Sequence, residues 1–393
     1  MNVARLSEIE NVMKTGIKNK HISGCNCLVF KDNKEIAYFE NGYRDIENKI
    51  PFTRNTICRL FSMTKPITAV ATMILVEKGI LDLYQNIGDF IPEFYNLSVC
   101  KNGKVEKCYR PILIKDLLNM TSGYSYGGEN DESEKEISKL LYCFLNDNVA
   151  NENNFSTLDL AKKLASFPLS FEPGTNYQYG LSADILGAVI EVASGMKFSE
   201  FLKKNIFEPL GMNDTDFYVP EEKQNRLAKV YEIKDGDLNK AEYCNLGIQN
   251  KMILKPAFES GGAGLNSTID DYVKFCLMLV NKGVYDGKRI LQEKTVEFLT
   301  DARLSENLQK CFDYKMEHLQ GYTYCNLNRV CIDKGKTWAL TENGEFGWDG
   351  WLGPYMSVDI KNNLVVVYLQ QITNSGTTSY TRKIKNIIYS SIL

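Results

Sequence analysis

The longest helical signature lies early in the chain. Ile67, Val70, Ala71, Ile74 and Leu75 stand at i, i+3, i+4, i+7 and i+8, the spacing of one helix face. Pro66 suits a first turn, where its missing N–H is not needed, and Gly79 suits the stop. A buried helix over 62–78 is therefore expected. Ahead of it, Leu6, Ile9, Met13 and Ile17 mark one face of a helix over 3–18. Two strands over 25–30 and 35–43 follow, joined as a hairpin across Lys31-Asp32-Asn33-Lys34.

From 80 to 224 strand character fades. Short helices are expected over 114–120, 158–166, 183–193 (capped by Ser182) and 198–207. The polar stretches 129–136 and 146–154 read as surface loops. A helix over 269–281 has Thr268 and Asp271 as a capping pair and Gly283 as its stop. Strands over 355–359 and 364–371 then flank Lys361-Asn362-Asn363. A last helix carries Tyr380, Ile384, Ile387, Ile388 and Ile392 on one side. Terminal helices on an antiparallel sheet give an α+β body from 1–79 and 225–393, with 80–224 as a mostly helical insertion.

Composition narrows the class. With 44% hydrophobic and 24% charged residues, the chain reads as an ordinary soluble globular protein. A net charge of −3 implies no strong pull towards nucleic acid or membrane. The opening residues Met1 to Glu10 lack the apolar core of a signal peptide, and no run is long enough to span a bilayer. The eleven cysteines are scattered, several in apolar runs (Cys25, Cys27, Cys58, Cys276) and none as Cys-x-x-Cys. They read as reduced core thiols, so a cytoplasmic location is expected. The two histidines, His21 and His318, sit in polar stretches. No metal and no cofactor is expected, and neither histidine suits a buried Ser-His-Asp relay.

Ser62 and Lys65 stand three apart at the head of the central helix, so they share a face. A serine hydroxyl needs a base before it attacks. A lysine amine can serve if its pKa falls by roughly three units, about 4 kcal/mol, which burial can supply. The competing role for Ser62 is a helix N-cap. A second copy, Ser194-Gly195-Met196-Lys197, straddles a glycine break, and Lys14-Thr15-Gly16 lies inside a surface helix. Tyr179 follows the turn Glu172-Pro173-Gly174-Thr175 at a helix entrance. It is either a packed loop residue or a proton shuttle. Phe346-Gly347-Trp348-Asp349-Gly350-Trp351-Leu352-Gly353 is either a glycine-rich hairpin or a close-approach edge. In the latter case a backbone N–H there can join that of Ser62 in an oxyanion hole, each donor being worth about 3 kcal/mol. Gly123-Tyr124-Ser125-Tyr126-Gly127 matches the letters of a nucleophile elbow but lacks the strand before it and the helix after it.

In this order these motifs resemble the serine β-lactamase-like superfamily: class C β-lactamases, D-Ala-D-Ala peptidases and, most similar, the related serine esterases. Further support comes from Arg59-Leu60-Phe61 before Ser62, Thr121-Ser122-Gly123, Pro209-Leu210-Gly211-Met212 and Ser260-Gly261-Gly262-Ala263-Gly264-Leu265. The resemblance implies a mixed, mainly antiparallel sheet flanked by helices, a helical subdomain, and a site between them. It implies Ser62 as acylated nucleophile and Lys65 with Tyr179 as proton relay. It also implies an oxyanion hole from the backbone N–H groups of Ser62 and Trp351. Two departures stand out. The family's Tyr-x-Asn amide is replaced by Leu181, and its Lys-Thr-Gly by Trp348-Asp349-Gly350, whose carboxylate would repel an anionic substrate. The expected activity is hydrolysis of small, largely uncharged esters. Tyr124, Tyr126, Leu181, Trp348, Asp349, Gly350 and Trp351 are the expected substrate wall. Acyl transfer, β-lactam or D-amino-acid peptide hydrolysis, and an inactive binding protein are the alternatives.

Overall fold

The computed structural model describes residues 1–145, 155–242, 244–301 and 303–392; the expected loop 146–154 lies outside them. The body is an eight-stranded sheet in which every pairing is antiparallel. Across it run Tyr322–Cys325, Asn328–Cys331, Phe346–Gly347, Tyr355–Asp359, Leu364–Gln370, Gly24–Lys31, Lys34–Asp45 and Ile50–Pro51. The strand Leu364–Gln370 is buried along its whole length, which explains its nearly unbroken apolar sequence. Its side chains divide by alternation. Leu364, Val366 and Tyr368 join Cys25, Cys27 and Val29 against the terminal helices, through Ile9, Met13, Ile384 and Ile388. Val365, Val367 and Leu369 face the main core, where the helix Ile269–Val280 packs on that strand.

Most expected elements are present. The helix over 3–18 is interrupted at Ser7, giving Val3–Leu6 and Glu8–Lys18. The hairpin turn has Asp32 and Asn33 both at positive φ, the two-residue form that matches strand twist. Thr268 caps its helix through the Asp271 N–H, but the Asp271 carboxylate accepts from the Asp214 N–H instead of returning to Thr268. Three expectations are corrected. Residues 129–136 are not a loop: Asp131 caps the helix Glu132–Lys139 through the Glu134 N–H, and Ser133 and Ile137 are buried. Ser182 is not a cap; its hydroxyl lies 2.8 Å from that of Ser122 and ties the helix Ser182–Ser194 to the Thr-Ser-Gly loop. The stretch 80–224 also holds a hairpin, Ser98–Lys101 with Lys104–Lys107, turning on Asn102 and Gly103.

One buried ionic knot fastens the last helix to the sheet. Glu345 accepts from Lys385 at 2.8 Å, Arg329 at 3.1 Å and the Ser357 hydroxyl at 2.6 Å. Among the described residues no helix is long and apolar enough to cross a membrane.

Candidate active site

The chain enters the central helix through a forced turn. After the short strand Cys58–Arg59, Phe61 adopts a φ of 45°, a conformation that costs a bulky side chain on the order of 1–3 kcal/mol. The turn Phe61–Met63 then leads into the helix Thr64–Glu77. Tyr272 braces it by donating to the Met63 carbonyl at 2.7 Å. Ser62 is half-buried at the helix mouth, whereas Lys65, one turn inside, is buried.

The Lys65 amine has three partners: Ser62 Oγ at 3.1 Å, Tyr126 Oη at 2.9 Å and the Gly262 carbonyl at 2.8 Å. A neutral amine has two N–H bonds and one lone pair. As an ammonium the group donates to all three; in the neutral form the lone pair replaces one N–H, so the amine can keep donating to Tyr126 and Gly262 while accepting from Ser62. Burial lowers the Lys65 pKa to about 7, while the fields of Asp184 and Asp349 pull it back up. Asp184 is itself buried and accepts from the Ser260 hydroxyl and from the Gly262 N–H at 3.2 Å. Gly262 has no room for a side chain: a Cβ there would stand 2.7 Å from Asp184 Oδ2 and 3.1 Å from Tyr126 Oη.

Tyr179 lies on the other side of the amine, its ring centre 4.7 Å from Lys65 Nζ. Trp348 donates its indole N–H to the phenol oxygen at 2.8 Å. Burial pushes the phenol pKa up, against the lowering effect of hydrogen bonding with Ser62 and Trp348. The loop is pinned where Gln178 N–H donates to the Met120 carbonyl at 2.8 Å. Gly180 admits the neighbouring backbone, since a Cβ would fall 2.2 Å from the Tyr124 carbonyl oxygen.

The glycine-rich edge reaches the same place. A Cβ on Gly350 would lie 2.2 Å from the Leu60 carbonyl oxygen, so this segment passes directly over the backbone entering Ser62. The Trp351 ring packs on Phe61 at 5.1 Å, and its indole N–H is held by Asn374. Asp349 accepts from the Thr377 hydroxyl.

Ser62, Lys65, Tyr179, Tyr126, Trp348, Asp349, Gly350 and Trp351 are thus brought together. Tyr124 and Leu181 are not part of an open wall. Tyr124 is buried against Phe94, with its hydroxyl donated to the Leu164 carbonyl, and Leu181 is buried at the start of its helix. The rival serine, Ser125, is buried, its Oγ accepting from the Gly127 N–H at 2.9 Å. Ser194 and Lys197 are split by Gly195 at φ 67°. His21 is exposed and meets the Tyr380 hydroxyl at 2.8 Å; His318 is exposed on another turn. Asp184 was missed from the sequence, although it is the one charge in the apolar run Leu181 to Ile190. Also missed was a cavity of about 500 Å³ bordering Tyr179, lined by Asn176, Gln178 and Lys315.

The fold and this geometry agree with the family match. The Beta-lactamase family model covers residues 9–385, and the chain belongs to that family. Protein Rv1367c of Mycobacterium tuberculosis is 30% identical over 359 residues, 89% of this chain and 86% of that one. Esterase EstB of Burkholderia gladioli is 29% identical, over 68% of each chain. Among solved structures, EstCE1, a hydrolase with promiscuous acyltransferase activity, superposes with a TM-score of 0.83 at 23% identity, covering 98% of this chain and 99% of its own. Unliganded simvastatin synthase LovD from Aspergillus terreus gives a TM-score of 0.77 at 21% identity, covering 98% of each.

Proposed function

We propose that this protein is a serine hydrolase that cleaves carboxylic ester bonds in small, largely uncharged substrates through an acyl-enzyme on Ser62. The observation that carries the reading is the buried Lys65 amine 3.1 Å from the Ser62 hydroxyl, with a pKa near 7. In its neutral form the amine takes the Ser62 proton as the oxygen attacks the ester carbonyl. The tetrahedral oxyanion is met by the backbone N–H groups of Ser62 and Trp351, a pairing supported by the close passage of Gly350 over Leu60. The Tyr179 phenol, kept protonated by burial, gives its proton to the departing alkoxide and is restored from the Lys65 ammonium. Water then attacks the acyl-enzyme, losing its proton to the same relay and releasing the acid and Ser62.

Kinship with Esterase EstB supports ester cleavage. Asp349 in the third motif and a buried Leu181 in place of the amide weigh against β-lactams and peptides. Acyl transfer to an alcohol in place of water is the second reading, favoured by a relative named ML-236A carboxylate methylbutanoyltransferase at 26% identity. The ten described cysteines are all free, which supports a reducing, cytoplasmic setting.

The test is turnover of p-nitrophenyl acetate and butyrate. Wild type is expected to hydrolyse both and to show an acyl adduct by intact mass, and Ser62→Ala to do neither. Turnover that survives Ser62→Ala refutes the mechanism. Ester product in place of acid when alcohols are added selects acyl transfer, and nitrocefin turnover near the ester rate selects the β-lactamase.

A further inference from the structure

A cavity of about 680 Å³ opens beside the strand that leads to Ser62, and Arg59 lines it. Arg59 is only 4% exposed. Its Nη1 donates to the Ala228 carbonyl at 2.8 Å, but among the described residues its buried Nε has no hydrogen-bond partner. Among the described residues no carboxylate comes within ion-pair distance of it. The contrast is Arg329, equally buried, which is ion-paired with Glu345. A buried guanidinium without a counter-charge is costly, and its planar fork of donors matches a carboxylate or phosphate.

The rest of the cavity has the same sign. Lys229, Lys240 and Lys251 line it with Arg59, and the one carboxylate among the described lining residues, Glu242, is paired with Lys240. This is a local excess of positive charge in a chain whose net charge is −3. Burial lowers the Arg59 pKa to about 10, so the group is still cationic at neutral pH. The cavity walls Val230 and Ala241 belong to the apolar cluster that holds Phe61.

We propose that this cavity binds a small ligand through an oxyanion group, a carboxylate or a phosphate, seated on Arg59 with Lys229 and Lys251 at its rim. The charge and the orphaned donor argue for an acceptor with at least two oxygens. The site needs nothing from the Ser62 chemistry and stands or falls separately from it.

The experiment titrates the full chain at constant ionic strength with inorganic phosphate and, separately, with succinate, read by calorimetry and thermal midpoint. One saturable site for at least one anion is expected, with a rising midpoint; whichever anion saturates identifies the chemistry. Arg59→Gln should abolish the binding. The double variant Lys229→Gln/Lys251→Gln, on exposed positions, should weaken it about fivefold or more. Lys104→Gln, on a distant exposed hairpin, should leave it unchanged. The proposal is overturned by no saturable binding of either anion, or by binding that Arg59→Gln leaves intact. If Arg59→Gln does not fold, unchanged binding by the double lysine variant overturns it instead.

Discussion

Trp348 holds the Tyr179 phenol oxygen with its indole N–H at 2.8 Å. The bond occupies one lone pair of the phenol oxygen and fixes the ring over the Lys65 amine. Trp348→Phe keeps an aromatic body but removes that donor. It should lower kcat about tenfold with little change in KM, since it acts on the position of the relay. Tyr179→Phe removes the proton itself and should lower kcat by about 10²–10⁴. Steady-state kinetics with p-nitrophenyl butyrate separates the two. Equal losses would mean that Trp348 is essential to the phenol's function.

The pH profile follows from Lys65. Its protonated form cannot accept the Ser62 proton, so log kcat/KM should rise with pH and level off above about 7. No fall from Tyr179 is expected in the neutral range, because burial pushes that phenol upward. Asp184→Asn keeps a side chain able to accept from Ser260 but removes the negative field that raises the amine's pKa. The acidic limb should then move to lower pH. A limb that stays in place would dissociate Asp184 from Lys65.

Gly350 tests the oxyanion hole. Any side chain there meets the Leu60 carbonyl oxygen at 2.2 Å. Gly350→Ala should push the edge carrying the Trp351 N–H away from Ser62. One lost donor corresponds to a fall of about 10²–10³ in kcat. Far-UV circular dichroism should be unchanged. An active Gly350→Ala with wild-type kcat would remove Trp351 from the mechanism.

The knot at Glu345 governs stability. Burial would raise the pKa of this carboxyl, but Lys385 and Arg329 outweigh it and hold it at about 2. An unfolded glutamate titrates near 4.3. The stabilising contribution is therefore fully present above that value and is lost as pH falls towards 2. Glu345→Ala leaves two buried cations uncompensated and should cost about 3–5 kcal/mol. Chemical denaturation at pH 7 measures it. Wild type and variant should converge in stability as the pH approaches 2.

Much of the site was legible in the chain because its signals are local. Ser62 and Lys65 are three residues apart on one helix, and helical geometry alone brings them together. Tyr179 follows a Pro-Gly turn that can be read letter by letter. The expectations that failed were of another kind. Tyr124 and Tyr126 stand two apart, yet one hydroxyl goes to Leu164 and the other to Lys65. Nothing in their spacing says which faces the amine. The Asn102-Gly103 hairpin was readable but was masked by the helical pieces around it.

What the amino-acid order determined by itself was the inventory: a serine and a lysine on one helix face, a phenol after a turn, and an alternation that sorts Leu364 to Leu369 onto two sides of a sheet. These follow from the fixed periods of helix and strand. Tertiary structure decided what those groups became. Only packing could bury Lys65 beside the Gly262 carbonyl, bring Asp184 and Asp349 close enough to set its charge, and lay Gly350 over Leu60. Desolvation and field depend on what surrounds a group in space, and residues far apart in the chain supply that surrounding.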